Sequence, residues 1–188
     1  MGSAENNSSP QLGASEIPVD GITAANFVLN GVATPLECEG YRLPTESEWE
    51  YAARAGSITP FHPSDGNDGS ITDVNEDPNM DQIGWYQMNS DYSSHPVGSK
   101  EPNAWGLYDM AGNVLELVWD GVGPYPEGDT AAPVVDPTGP ATASMRASRS
   151  GGYNFYAQYC RSGFRNGGSP GYRAHFHGFR LARTTSAL

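Results

Sequence analysis

The 188-residue sequence predicts an α+β domain rich in loops, with one or two helices and a few short strands. Three observations carry that prediction. Glycine and proline are abundant, at 23 and 15 residues, which favours turns and long connections over a helix bundle. One stretch carries a full set of helix signals. Strand-like apolar patterning comes only in short runs. The length suits one domain with its own core, assigned to residues 18–188. The polar lead, residues 1–17, is expected to be poorly ordered.

Taken in order, "GITAANFVLNGV" (21–32) reads as a short helix stopped at Gly31. "YRLPTESEWEYAARAG" (41–56) is the strong signal. Thr45 and Glu48 form a capping box, and Glu46 and Glu48 place negative charge where the helix dipole favours it. Trp49, Ala52 and Ala53 share one helical face, and Gly56 suits the stop. Residues 57–104 read as loop, except for a short strand at "IGWYQMN" (83–89). "NAWGLYDMAGNVLELVWD" (103–120) is a compact turn followed by an apolar strand through Val114, Leu115, Leu117, Val118 and Trp119. Residues 121–144 return to loop. "MRASRSGGY" and "HGFRLAR" then read as short strands bracketing an unusual segment.

The totals exclude several functions. A net charge of −12 repels a nucleic-acid backbone and an anionic membrane, so neither is an expected partner. No apolar run approaches the roughly 20 residues that span a bilayer. The start lacks the charged-then-apolar plan of a signal peptide. Two distant cysteines, Cys38 and Cys160, make neither a disulfide framework nor a zinc site, and leave a single bridge open.

The bracketed segment is the oddest part. From Tyr153 to His177 it has no Leu, Ile, Val, Met, Lys or acid, yet seven aromatics and two His. A buried stretch of that length would normally carry aliphatics. Tyr and Phe give large contact area with few rotors to freeze, while Ser, Gly and Asn adapt their hydrogen bonds. That mixture suits a binding surface. Packing in the core and a sugar-stacking face are the alternatives.

Three separated blocks carry a family resemblance: "YRLPTESEWEYAARAG", "NAWGLYDMAGNVLELVWD" and "DPTGPATASMRASRSGGY…GFRLAR". They resemble, in order, the signature blocks of the formylglycine-generating-enzyme, or sulfatase-modifying factor, domain. The resemblance implies a C-type-lectin-like fold. Enzymes of that family use a pair of reactive cysteines in the C-terminal segment, which bind copper. Here that segment holds only Cys160, too few thiolates for a soft metal. His175 and His177 share a strand face and offer metal ligands, but are read here as members of the binding surface. No catalytic residue is assigned.

The segment resembles instead the variable region of diversity-generating-retroelement target proteins. There, adenine-directed mutagenesis scatters Asn codons into Phe, Tyr, Gly, Ser, Ala and His. The resemblance assigns Asn154, Phe155, Tyr156, Tyr159, Gly163, Phe164, Asn166, Gly167, Gly168, Ser169, Tyr172, Ala174, His175, Phe176 and His177 to the ligand-binding set. Ala157, Gln158, Cys160, Arg161, Arg165, Pro170 and Arg173 form the frame between them, followed by Gly178, Phe179 and Arg180. Arg161, Arg165, Arg173 and Arg180 are candidates to hold loops by forked hydrogen bonds. In the enzymes this chain resembles, the "DMAGNVLE" turn binds calcium. By position, Asp109 and Glu116 would give side-chain oxygens and Gly112 and Val114 backbone carbonyls. The expected function is non-enzymatic binding of a macromolecular ligand, a protein on a cell or virus surface, which surface or virion display would suit. A copper-dependent oxidase and a carbohydrate-binding lectin are the competing readings.

Overall fold

The computed structural model describes residues 34–38, 40–128, 132–140 and 142–184. The lead at 1–17 and the helix expected at 21–32 lie outside them.

Helix α1 spans Glu46–Arg54. Thr45 Oγ1 accepts the Glu48 amide at 3.2 Å, and the Glu48 carboxylate accepts the Thr45 amide at 2.8 Å, closing the capping box. Trp49 and Ala53 are buried and Ala52 half-buried, as the spacing predicts. The helix stops one residue before the expected glycine: Ala55 takes the left-handed conformation (φ 47°) and its amide closes on Tyr51 O. A second helix, α2 (Pro78–Ile83), lies inside the stretch read as loop. Asp77 caps it, accepting the Asn79 and Met80 amides at 2.9 and 3.2 Å, and Pro78 supplies a preset first turn. The strand expected at 83–89 does not form. Ile83 ends α2, and Tyr86 enters a turn in which its amide bonds Asn89 Oδ1.

The described residues form six strands, in chain order β1 (Gly40–Arg42), β2 (Leu115–Gly121), β3 (Arg146–Arg149), β4 (Asn166–Gly168), β5 (His177–Phe179) and β6 (Ala182–Thr184). β1 and β6 pair antiparallel and tie the two ends of the described chain together. The other four make a mixed sheet in the order β4-β3-β2-β5. β3 runs antiparallel to both β2 and β4, while β5 runs parallel to β2. The unusual segment therefore supplies both edges of this sheet, and its backbone is fixed by ladder hydrogen bonds to β2 and β3.

Among the described residues, two apolar clusters fill the interior. One joins Trp49, Ala53, Met110, Val118 and Ala147 between α1 and the sheet. The other joins Phe61, Met80, Ile83, Tyr86, Ala111, Ala157 and Cys160 under the loops. Cys38 and Cys160 are both buried and unbridged, so the single disulfide left open by the sequence is not formed.

A charged network lies between α1 and β3. Arg149 is 0% exposed. Its guanidinium donates to Glu46 Oε1 at 2.9 Å, to Glu50, and to the Ser162 carbonyl at 2.7 Å, and lies 5.5 Å from the Trp49 ring centroid. Glu46 also accepts the Tyr125 hydroxyl at 2.9 Å and pairs with Arg165 at 2.8 Å. Asp120, at the end of β2, accepts the Glu46 amide at 2.7 Å. Burial pushes its carboxyl up to about 6, and the neighbouring Glu46 carboxylate adds to that rise against the pull of the amide and Arg165.

Two outcomes are expected here. Arg149→Met should cost about 3–5 kcal/mol in urea unfolding, because it strands two carboxylates against a buried face. Asp120 binds its proton more tightly folded than unfolded, so its contribution is full below about pH 4 and is lost as pH rises to about 6. The wild type should therefore lose on the order of 2 kcal/mol relative to Asp120→Asn between those pH values, read from paired denaturation curves.

Candidate ligand-binding surface

The segment leaves β3 through a turn whose second residue, position 151, has room only for glycine. Ser150 and Gly151 both have positive φ, 82° and 71°. A Cβ on Gly151 would lie 2.5 Å from Tyr159 O and 2.7 Å from Cys160 Sγ. Beyond the turn, Ala157–Tyr159 form one turn of 3₁₀ helix. The Ala157 and Gln158 amides bond the carbonyls of Asn75 and Val74, fixing this turn against the loop that precedes α2.

Exposure divides the segment only in part, since the frame residues Arg161, Arg173 and Phe179 are exposed as well. None of the fifteen assigned positions is buried. Tyr156, Tyr159, Gly163, Ser169, Tyr172 and His175 are exposed. Asn154, Phe155, Phe164, Asn166, Gly167, Gly168, Ala174, Phe176 and His177 are half-buried. Between them, Ala157, Cys160 and Ser162 are sealed. The rings form two groups. Phe155, Tyr159 and Phe164 meet with centroids 5.3–6.1 Å apart. Tyr172, Phe176 and His177 meet at 4.8–6.4 Å. These are the tilted and edge-on arrangements that aromatic pairs favour. Gly168 lies beside the second group, where a Cβ would be 3.9 Å from His177 Cε1.

The positions are not equivalent. Phe155 packs against the buried cluster of Phe61, Met80 and Tyr86, so it carries part of the core. Gly167 faces Val122, whose Cγ2 would be 2.4 Å from an added Cβ, so a side chain there requires Val122 to move. Gly163 has room, with a Cβ 3.5 Å from Arg54 Nη2. Asn154 Oδ1 and His177 Nδ1 are covered without a hydrogen-bond partner. Burial lowers the His177 pKa and favours its neutral form.

Of the four candidate arginines, two hold the segment. Arg165 donates to Gly123 O at 2.5 Å, pairs with Glu46, and lies 4.6 Å from the Tyr125 ring centroid. Arg180 forks onto Glu116, with Nε to Oε2 and Nη2 to Oε1 both at 2.5 Å. Arg161 reaches only the nearby Gln158 carbonyl, and both it and Arg173 are exposed. Glu46, Glu50 and Ser162, which complete the anchoring from Arg149, carried no sequence signal beyond the helix cap. Their roles depend on distant partners.

The 103–116 turn is shaped by local bonds. Asp109 and Asn113 have positive φ (56° and 60°). Asp109 Oδ2 accepts the Gly98 amide at 2.8 Å, and Asn113 exchanges two hydrogen bonds with the His95 backbone. Ser150 Oγ donates to Gly112 O at 3.0 Å. Trp49 Nε1 donates to Glu116 Oε2 at 2.6 Å. Asp109 Oδ1, although buried, has no partner. The Asp109 residue lines a cavity of about 480 Å³ together with Gly112, Val114 and Glu116. Among the described residues no three His, Cys, Asp or Glu side chains gather as a metal cluster.

Cys160 is 0% exposed, and burial pushes its thiol up to about 12. A protonated, sealed thiol is a poor nucleophile and a poor metal ligand.

Residues 5–185 match the model of the sulfatase-modifying factor enzyme 1-like domain. The formylglycine-generating enzyme of Streptomyces coelicolor is 36% identical over 162 residues, covering 76% of this chain and 46% of that protein. The serine/threonine-protein kinase pkn1 of Chlamydia pneumoniae is 31% identical over 171 residues, covering 91% of this chain and 25% of that one. Among solved structures, Treponema denticola variable protein 1 matches with a TM-score of 0.69 and 37% identity, over 80% of this chain and 50% of that one. The chain thus spans half or less of the length of these relatives. The loop-rich mixed sheet with few helices is the C-type-lectin-like α+β fold of this group. The chain belongs to the sulfatase-modifying factor enzyme 1-like domain family.

Proposed function

We propose that this domain is a non-enzymatic receptor whose 154–177 surface is diversified by a retroelement and binds a macromolecular ligand. The observation that carries the reading is the division of the segment: the fifteen assigned residues all reach solvent, while Ala157, Cys160 and Ser162 between them are sealed. A surface that changes by mutation needs that division. Large rings with few rotors, edged by Gly, Ser and Asn, supply anchors and adaptable contacts. The likeness to a Treponema variable protein supports it. The ligand is proposed to be a protein on a cell or virus surface, with the domain displayed on a surface or virion.

The family also contains formylglycine-generating enzymes, so oxidation of a substrate cysteine is the competing reading. The sealed, unbridged Cys160 speaks against it.

A structural calcium ion is part of the proposal. Asp109 Oδ1 is a buried hard oxygen lacking a donor, and Gly112 and Val114 on the same cavity would add carbonyls. Glu116 fits less simply, because Arg180 and Trp49 already hold its carboxylate. The ion's contribution would be to fix the turn beneath β5.

Captured on an array of cell-surface and virion proteins, the domain should retain specific partners. Replacing Tyr156, Tyr172 and Phe176 together by Ala should abolish capture while leaving the unfolding midpoint within a few degrees. Phe155→Ala, by contrast, should cost about 1–3 kcal/mol, since its ring lies half in the core. Capture that survives the triple substitution, or binding found only on a glycan array, would refute the protein-ligand reading. With a cysteine-containing peptide and copper, oxygen uptake should not exceed that of buffer; turnover would establish the oxidase instead.

A further inference from the structure

Charge is segregated along this chain. Residues 1–136 hold all 22 acidic residues and three of the ten basic ones, a formal charge of −19, while residues 137–188 hold seven arginines and no acid, a charge of +7. Four of the seven arginines are absorbed by the frame. Arg149, Arg165 and Arg180 pair with Glu46, Glu50 and Glu116, and Arg146 is buried on β3 within the field of Asp120. The other three, Arg161, Arg173 and Arg183, are exposed, and among the described residues none of them pairs with a carboxylate.

Two of these three stand in the binding segment, one beside each group of rings. Arg161 lies between Tyr159 and Phe164 in the chain and donates to the Gln158 carbonyl at 2.6 Å. Arg173 follows Tyr172 and precedes Phe176, and makes no hydrogen bond or ring contact with a described residue. Arg183 lies elsewhere, on β6, with its guanidinium 5.8 Å from the Tyr41 ring centroid. None of the fifteen assigned residues is Lys, Arg, Asp or Glu, so Arg161 and Arg173 set the sign of the surface. Asp73 and Glu76 are exposed on the loop that holds the 157–159 turn, which offsets Arg161 and leaves the uncompensated charge at the Arg173 end. Guanidiniums beside large rings with few rotors are the side chains that anchor interfaces, and the guanidinium fork matches a carboxylate. Two free guanidiniums in a strongly acidic molecule suit a short acidic patch. A longer polyanion would run past them into the field of the acidic body.

We propose that the partner face seated on the 154–177 surface is an acidic segment of a protein, whose carboxylates pair with Arg161 and, chiefly, Arg173 while its apolar side chains meet the rings. The proposal rests on the receptor reading given above and adds the chemistry of the partner. Both arginines belong to the frame and not to the fifteen assigned positions. The preference for acid is therefore constant, while the shape read by the rings varies.

A displayed library of random dodecapeptides, panned against the full chain, is the probe. Enriched peptides should carry more Asp and Glu than the input library. Remade as free peptides, they should bind Arg173→Gln roughly threefold more weakly than the wild type, and the Arg161→Gln/Arg173→Gln double variant roughly tenfold more weakly. Added salt should weaken the wild type more than the double variant. Arg183→Gln removes the same charge outside the surface and should bind as the wild type does. All three arginines are exposed, so the unfolding midpoints should stay together. Enriched peptides with no acidic excess, or an Arg183→Gln variant as impaired as Arg173→Gln, would overturn the acidic-partner proposal. Heparin or single-stranded DNA bound more tightly than every selected peptide would replace it with a polyanion. The Tyr156, Tyr172 and Phe176 triple substitution separates the two readings, since it should abolish enrichment altogether. Peptides retained by that variant, or a wild type that enriches nothing beyond it, would remove the receptor surface itself and this proposal with it.

Discussion

A guanidinium taken wholly out of water must be met by carboxylates, and that requirement organises this domain. Arg149 loses its entire hydration shell, so Glu46 and Glu50 of α1 have to stand over β3. That fixes the helix against the sheet. Glu46 then has oxygen to spare for Tyr125 and Arg165, which draws in the connection after β2 and the middle of the aromatic segment. Trp49, one turn along α1, lies against Arg149 and donates to Glu116, which in turn is forked by Arg180. The three arginines and three glutamates form one linked frame, and none of them is among the fifteen surface positions.

This frame explains how the segment can carry so little aliphatic character. Its backbone supplies both edges of the four-stranded sheet, and its anchors are main-chain carbonyls or arginines outside the assigned set. Order comes from ladder hydrogen bonds and buried charge pairs, so most rings are released for contact. Phe155, which is shared with the core, and Gly167, which is crowded by Val122, mark where that separation is incomplete.

What the sequence disclosed depends on the range of each interaction. The α1 cap and its buried face are local patterns and appear as expected; the β2 strand forms too, but its buried positions include the charged Glu116 and Asp120, while Leu117 and Trp119 stay half-buried. The Asp77–Pro78 start of α2 is local as well and was readable as a cap followed by a preset first turn, but it lies within an acidic stretch dominated by turn formers. β4 has the composition Asn-Gly-Gly, which carries no strand propensity; only its pairing with β3 makes it one. The exposure of Tyr156 and Tyr172 followed from composition. The partners of Arg149 did not, because Ser162 and Glu46 meet it only through the tertiary fold.

The register of β2 has a final consequence. Glu116 lies opposite Arg149 on one side and Gly178 on the other. The points where the segment departs from and returns to the sheet are therefore only two strand spacings apart, roughly 10 Å. A loop whose ends are pinned so closely can be lengthened or shortened at small entropic cost. Under the proposed function, such a frame would act as a socket for inserts that differ in size as well as in chemistry.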